Sequence, residues 1–130
     1  MPARIEIGRF GFRGAKAVES DEAANAVTVD CRRLVDPDVI KEGKRVVGKR
    51  RMRLDHVKAE LLRDQHDLTQ SLVNRVIDAV LDGKLVCVRC MMGKNRSQAV
   101  ASLACEELER SHPGVVYEGP VYLGGIKKTP

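Results

Sequence analysis

The sequence predicts an α/β domain in which a single layer of mainly parallel sheet is flanked by helices. Three observations predict it. Short β-branched runs alternate with longer segments of helical periodicity. The order strand, strand, helices, strand, helix, strand is typical of α/β layers. The length of 130 residues suits one domain, which we place over 1–130.

The first part of the chain predicts two strands and a long connection. Alternating apolar and polar residues predict a strand at about 3–9. The β-branched run "AVTVDC" predicts a buried strand over 26–31. The segment between them is rich in Gly and then in acidic residues, which indicates a loop. Residues 32–53 hold a Pro, two Gly and many basic residues, and predict an irregular connection.

Two helices are predicted next. Apolar residues at helical spacing indicate one helix over 54–62 and a second over 68–81. Asp67 is the expected N-cap of the second helix, since a short acidic side chain can accept from the first backbone N–H groups. Gly83 is the expected C-terminal stop, because helices commonly end with a glycine in the left-handed conformation.

The last part predicts a strand, a helix and two short strands. The apolar run "KLVCVRC" predicts a strand over 84–90, and the Ala-, Leu- and Glu-rich residues 97–110 predict a helix that ends before Pro113. "VVYEG" and "VYLGG" predict two late short strands. We expect the tail "IKKTP" to be mobile.

Composition excludes some classes of protein. The sequence has no apolar run near the roughly 20 residues that cross a bilayer, and its start lacks the apolar block of a signal peptide. We therefore expect a cytoplasmic protein without a membrane partner. The net charge of +5 is compatible with an anionic ligand or RNA, and a homo-oligomer is compatible with the sequence. With two Phe, two Tyr and no Trp, single-stranded bases have few aromatic residues on which to stack.

The four cysteines, Cys31, Cys87, Cys90 and Cys105, do not predict a disulfide framework in a cytoplasmic chain. Cys87 and Cys90 are three positions apart on a predicted strand, so their side chains point to opposite faces. Zinc would also need a second pair of ligands at matching spacing, and the sequence has none. The sequence therefore indicates neither a metal nor a cofactor.

The stretch "CMMGKNRS", residues 90–97, carries the chemistry. A predicted strand ends at Cys90, a short loop with Gly93 and Lys94 follows, and a predicted helix starts near Arg96-Ser97. Such a unit gathers backbone N–H groups and a helix N-terminus around one anion. An Arg at the helix start can donate two N–H groups to phosphate oxygens. The sequence therefore predicts a strand–loop–helix phosphate-binding loop.

Two other interpretations stay open. Cys-x5-Arg is also the spacing of a cysteine phosphatase, with Cys90 as nucleophile, Arg96 as phosphate clamp and Ser97 easing departure of the thiolate. That reaction needs a general acid, and the candidates do not separate: Asp36, Asp38, Asp64 and Asp67. The other interpretation is an ordinary turn between strand and helix, with Cys90 in the core.

A basic run, "KEGKRVVGKRRMR" over 41–53, is the second candidate site. Its densest part, Lys49, Arg50, Arg51 and Arg53, would suit a nucleic-acid backbone and makes RNA a candidate partner. The same charges would also suit a lid over an anionic ligand. A solvated loop in a basic protein would look the same.

Three blocks resemble the C-terminal domain of the RNase adapter protein RapZ. "FGFRG" at 10–14 is similar to that family's Phe-Gly-Phe-Lys block, and "DCRRLVDP" at 30–37 to its Asp-x-Arg-x-Leu-x-Asn-Pro block. "CMMGKNRS" is similar to its Cys-Thr-Gly-Gly-Lys-His-Arg-Ser loop. The family has a kinase-like domain before this one, and we expect a stand-alone domain here.

The resemblance implies an α/β domain that senses a phosphorylated amino sugar and binds small regulatory RNA. It also implies which residues line the pocket: Asp30, Arg32, Cys90, Met91, Met92, Gly93, Lys94, Asn95, Arg96 and Ser97. The chain departs from the pattern at Met91-Met92 for Thr-Gly, at Asn95 for His and at Asp38 for His. These positions are where the ligand of this domain and that of the family would differ.

Overall fold

The fold is taken from a computed structural model, which describes residues 3–10, 26–37 and 52–130. The described elements, in chain order, are β1 (Ala3–Arg9), β2 (Ala26–Asp30), α1 (Leu54–Asp64), α2 (His66–Leu81), β3 (Leu85–Cys90), α3 (Arg96–Ser111) and β4 (Tyr117–Tyr122). The predicted α/β class is confirmed. Of the predicted features, the loop after β1, the acid Asp38 and the basic Lys49, Arg50 and Arg51 lie outside the described residues.

The four described strands form one sheet in the order β2-β3-β1-β4, and every pair of neighbours is parallel. Ile5 lies level with Val86, and Val86 with Val27, so β3 is paired on both sides: with β1 along its whole length and with β2 up to Arg89. A parallel sheet brings the carboxyl ends of its strands to one edge. The turns that follow all four strands therefore meet there.

Alternation along the strands places the core on one face of the sheet. Ile5, Ile7, Val86 and Val88 are almost fully buried. Helices α2 and α3 pack against each other and against both β1 and β3, which places them on that face. Helix α1 completes the layer by packing on α2 and α3. Burial of these aliphatic side chains, at about 25 cal/mol per Å² of apolar surface, is the main source of stability.

The start of α2 differs from the prediction. Asp67 lies in its first turn, where the helix dipole stabilises a carboxylate. The N-cap residue, however, is Gln65. The side chain of Gln65 instead holds the backbone of Val35: its Nε2–H donates to the Val35 oxygen and its Oε1 accepts from the Val35 N–H, both at 2.8 Å. Gly83 follows the end of α2 with φ +73°, as predicted.

The end of the chain also differs from the prediction. One strand, β4, replaces the two predicted short strands, and it lies at the edge of the sheet where Pro120 removes no ladder hydrogen bond from a central strand. The tail over 126–130 is held rather than mobile. Thr129 is buried, and its N–H and hydroxyl donate to Gln98 Oε1 and to the Lys94 oxygen. In the described parts of the chain, no helix is long and apolar enough to cross a membrane.

Candidate functional site

The strand order places the candidate site at the carboxyl ends of β1 and β3. These two strands are neighbours, yet the chain runs from β1 to β2 on one side and from β3 to β4 on the other. Where connections leave in opposite directions, an open α/β sheet has a crevice at the carboxyl ends of its strands, and ligands of such folds bind there. The N–H of Phe10 donates to the Cys90 oxygen at 3.2 Å and joins the ends of these two strands.

The loop Met91–Asn95 crosses from β3 to α3 with a tight turn at Gly93. Its φ of +67° belongs to the left-handed region that favours glycine. A Cβ there would lie 2.6 Å from Ile126 Cδ1, so the backbone also packs closely on the residues after β4. The turn directs the loop back to the first residue of the 16-residue helix α3. The predicted strand–loop–helix unit is therefore present at the predicted residues.

Gln98 braces this loop and was missed by sequence reasoning. Its side chain is 2% exposed, and Nε2–H donates to the oxygens of Gly93 at 2.8 Å and Lys127 at 2.9 Å. Its Oε1 accepts from the Thr129 N–H at 2.7 Å. The one signal was a long polar side chain among small residues in the first turn of an otherwise buried helix face. Gln98 thus joins the loop to the segment after β4.

Cys90 and Ser97 lie together beneath the loop. The Cys90 thiol is 2% exposed and its Sγ lies 3.2 Å from Ser97 Oγ, at hydrogen-bond distance, with Ser97 fully buried. Cys31, whose N–H donates to the Arg89 oxygen at 2.8 Å, is buried on the neighbouring strand end. Burial, and after it the nearby Cys90, raise the pKa of the Cys31 thiol. Cys31 is therefore a neutral core residue.

Arg96 points toward the segment after β2. Its Nη1–H donates to the oxygens of Arg32 at 3.1 Å and Leu34 at 2.9 Å, and its Nε lies 4.0 Å from Asp36 Oδ2. Asn95 is buried and donates through Nδ2 to the same carboxylate at 3.3 Å and 3.4 Å. Among the described residues, Asn95 Oδ1 and Arg96 Nε have no hydrogen-bond partner. Arg96 thus fastens the Asp36 segment to the helix start.

Asp30 and Arg32 form an ion pair at the end of β2. Arg32 donates through its backbone N–H at 2.9 Å, and through Nε and Nη2 at 2.8–3.2 Å. The side-chain hydrogen bonds from Arg32 hold the pKa of Asp30 below its ordinary value of 3.8. The Arg32 guanidinium also lies over the Phe10 ring, 3.7 Å from its centroid. Both predicted pocket residues therefore lie at the carboxyl edge.

We expect Asp30→Asn to lower stability by less than about 1 kcal/mol at pH 7, because a half-exposed ion pair is screened by water. A lowered folded-state pKa stabilises above the ordinary value, and the stabilisation is lost as pH falls through the folded-state pKa. The stabilities of the variant and the natural chain, measured by urea unfolding, should therefore begin to converge as pH falls below about 3.8. In an Arg32→Gln background, Asp30→Asn should have no such pH dependence. A constant difference from pH 7 to pH 3 would contradict the assignment.

The two methionines of the loop are exposed. Met91 and Met92 are 52% and 44% exposed, although both are large and apolar. Lys94 is half-buried, with its oxygen accepting from the Thr129 hydroxyl. Basic residues predominate along the edge, which holds Arg9, Arg32, Arg33, Lys94, Arg96, Lys127 and Lys128 against the acids Asp30 and Asp36. The local field at the loop is therefore positive.

Of the predicted acids that the structure describes, one lies near the loop. Of the predicted RNA-binding residues, the structure describes one. Asp36 lies beside Asn95 and Arg96, whereas Asp64 and Asp67 are exposed on α1 and α2. Of the basic run, Arg53 is described: it is exposed and directly precedes α1, whose Leu54 N–H donates to the Pro130 oxygen at 2.6 Å. The end of the basic run therefore lies next to the C-terminal tail, which packs on the loop. RNA binding stays a prediction.

Fold and site define a class: an α/β domain with a parallel sheet whose carboxyl edge carries a strand–loop–helix turn and a basic rim. In described residues, no cluster of metal-ligating side chains accompanies it. The chain is 30% identical to a curated protein of Clostridium botulinum named a nucleotide-binding protein, over an alignment that covers 81% of this chain. The chain spans about a third of that relative, 36% of its length. No family model matches the chain, and no solved structure matches it.

Proposed function

We propose that this domain binds a phosphorylated small molecule, a nucleotide or a sugar phosphate, at the loop Met91–Asn95. The observation that carries the proposal is the position of this loop: it joins the end of a central parallel strand to the N-terminus of a 16-residue helix, at the carboxyl edge of the sheet. The first N–H groups of a helix have no partner within the helix, and they attract anions together with the helix dipole.

The charges of the rim support an anion at this place. Lys94 lies within the loop, and Lys127 lies next to it because its backbone oxygen accepts from Gln98. At the other end of the sheet, the residues before β3 include Asp82 together with Lys84, whose side chains lie 4.0 Å apart. A phosphate at the carboxyl edge would therefore lie in a positive electrostatic field.

The similarity to the clostridial protein supports the same class of ligand. Its name records nucleotide binding, and the three sequence blocks resemble RapZ in order and spacing over most of the chain. We infer a RapZ-related domain. The inference concerns the class of ligand, since this chain spans about a third of the longer relative.

A cysteine phosphatase is the second candidate, and the contact between Cys90 and Ser97 favours it. A serine hydroxyl at 3.2 Å from the sulfur is what a thiolate leaving group needs. Two observations favour binding without turnover. Arg96 directs Nη1 at backbone oxygens of the Asp36 segment, and Asp36, the nearest to the loop of the candidate acids that the structure describes, accepts from Asn95.

We expect Lys94→Gln to weaken binding of AMP or glucosamine 6-phosphate about tenfold, since a hydrogen bond to a charged group contributes about 1.5–3 kcal/mol. Lys84→Gln is the matched control: it removes the same charge from the opposite end of β3 and should change binding less than about twofold. Isothermal titration, with thermal shift as a second readout, measures both.

Two results would overturn the proposal. One is equal weakening by Lys94→Gln and Lys84→Gln, which would mean that only net charge matters. The other is absence of binding to AMP, glucosamine 6-phosphate and pyrophosphate alike. Hydrolysis of p-nitrophenyl phosphate by the natural chain, abolished in Cys90→Ser, would establish the phosphatase instead.

A further inference from the structure

Phe10, Asp30 and Arg32 form a group that we call the edge stack. Arg32 Cζ lies 3.7 Å from the centroid of the Phe10 ring. Phe10 follows β1 and Arg32 follows β2, and these two strands are the neighbours of β3 on either side. A contact between them therefore passes over the carboxyl end of β3, where the loop begins.

The guanidinium of Arg32 is fixed along its edge and covered on one face. Nε donates to Asp30 Oδ1 at 3.1 Å and Oδ2 at 3.2 Å, and Nη2 donates to Oδ2 at 2.8 Å. The Phe10 ring covers one face, while 46% of the side chain stays exposed. A planar group held in this way offers its remaining face as a flat, preorganised surface.

These contacts make Arg32 a poor phosphate ligand and a good stacking surface. One edge of the guanidinium, Nε and Nη2, donates to Asp30, whose carboxylate offsets the charge of the guanidinium. The flat face of an arginine stacks on aromatic rings, and every nucleobase has such a face. The role of Arg32 at this edge is therefore to contact a flat group.

The edge stack is joined to both ends of the loop. At the first end, the Phe10 N–H donates to the Cys90 oxygen at 3.2 Å. At the second end, the Arg32 oxygen accepts from Arg96 Nη1 at 3.1 Å. Met91 and Met92 add exposed apolar surface directly after Cys90. A phosphate held by the loop would thus have a flat cationic surface and an apolar surface beside it.

We propose that the edge stack is a nucleobase subsite, so that the ligand of the loop is a nucleoside phosphate whose base stacks on Arg32. This inference rests on the proposed function and selects the nucleotide over the sugar phosphate. A sugar has no π-face to lay on a guanidinium, whereas each base does.

Three probes that share a phosphate test the subsite: AMP, ribose 5-phosphate and inorganic phosphate, titrated calorimetrically. We expect AMP to bind about tenfold or more tightly than ribose 5-phosphate, the effect of stacking one base. Arg32→Lys keeps the charge and removes the plane, so AMP should lose this advantage while ribose 5-phosphate binds within about twofold of before. Phe10→Leu should reduce the advantage in the same direction.

Arg33→Lys is the matched control, because Arg33 is an exposed neighbour on the same segment, and it should leave the AMP preference unchanged. Circular dichroism of each variant verifies folding. If AMP and ribose 5-phosphate bind equally and Lys94→Gln weakens both, the subsite is overturned and the proposed function stands. If the preference for AMP survives Arg32→Lys, the subsite is also overturned. If no probe binds, both proposals fall together.

Discussion

Gln98→Leu is expected to destabilise the domain by about 2–4 kcal/mol, because leucine nearly fills the same volume but leaves three backbone groups without their partner. Those groups are the oxygens of Gly93 and Lys127 and the N–H of Thr129. A buried polar group left without a hydrogen bond costs about 1–3 kcal/mol. The Lys127 oxygen regains water when the tail detaches, so the total falls below the sum of three such losses.

Urea unfolding measures the change, and the midpoint should fall by about 1 M or more for an m value of about 1–3 kcal/mol/M. Tryptic cleavage after Lys127 or Lys128 should also become faster, since the tail then leaves the loop. Gln70→Leu is the matched control: its Nε2 donates to Asn74 at 3.0 Å on the outer face of α2, a pair that contributes a few tenths of a kcal/mol. Similar losses in both variants would show that Gln98 does not brace the loop.

Most of the fold was predictable because its signals are local. The run at 85–90 is apolar and β-branched, and helix α3 follows it with small and charged residues at helical spacing. The sequence predicted two strands where the structure has β4, because Gly119 and Pro120 usually interrupt strands. Gly119 has φ +102° and sits where the pairing with β1 shifts register between Arg4 and Glu6. An edge strand tolerates such an irregularity, and local sequence does not report which strand lies at the edge.

The site was predictable in its position but not in its contacts. The spacing from Cys90 to Arg96 predicts a short loop between a strand and a helix, because Cys90 ends the strand and Arg96 begins the helix. The partners of Arg96 come from the segment after β2, more than 60 positions earlier. Gln98 likewise meets Thr129, 31 positions later. Such partners follow from strand order, and the order β2-β3-β1-β4 is a property of the assembled sheet.

The edge stack changes how the resemblance to RapZ is interpreted. Asp30 and Arg32 belong to a block that the resemblance places in the pocket, and an arginine in a pocket for phosphates suggests a phosphate ligand. In this chain Asp30 engages that guanidinium and Phe10 covers it. In the proposed subsite, the two residues would contact a ligand through shape and a π-surface. Lys94 and the loop amides would then supply the positive charge for a phosphate.

Gly93→Ala is expected to destabilise the domain by about 2–3 kcal/mol and to abolish binding of phosphorylated ligands. Part of the loss, about 1–2 kcal/mol, arises because an alanine resists φ +67°. The rest arises because its Cβ would lie 2.6 Å from Ile126 Cδ1 and 3.1 Å from Cγ1, so that Ile126 or the loop must move. Any movement of the loop displaces the N–H groups proposed to hold the phosphate.

Gly83→Ala separates the two causes. Gly83 has nearly the same φ, +73°, but a Cβ there meets nothing within 4 Å, so only the conformational loss of about 1–2 kcal/mol remains. Ile126→Val removes Cδ1, the nearest atom, and in that background Gly93→Ala should cost little more than Gly83→Ala. Urea unfolding of the four variants closes this cycle. If Gly93→Ala and Gly83→Ala cost the same in the natural background, the contact with Ile126 does not position the loop, and loss of binding would then follow from backbone conformation alone.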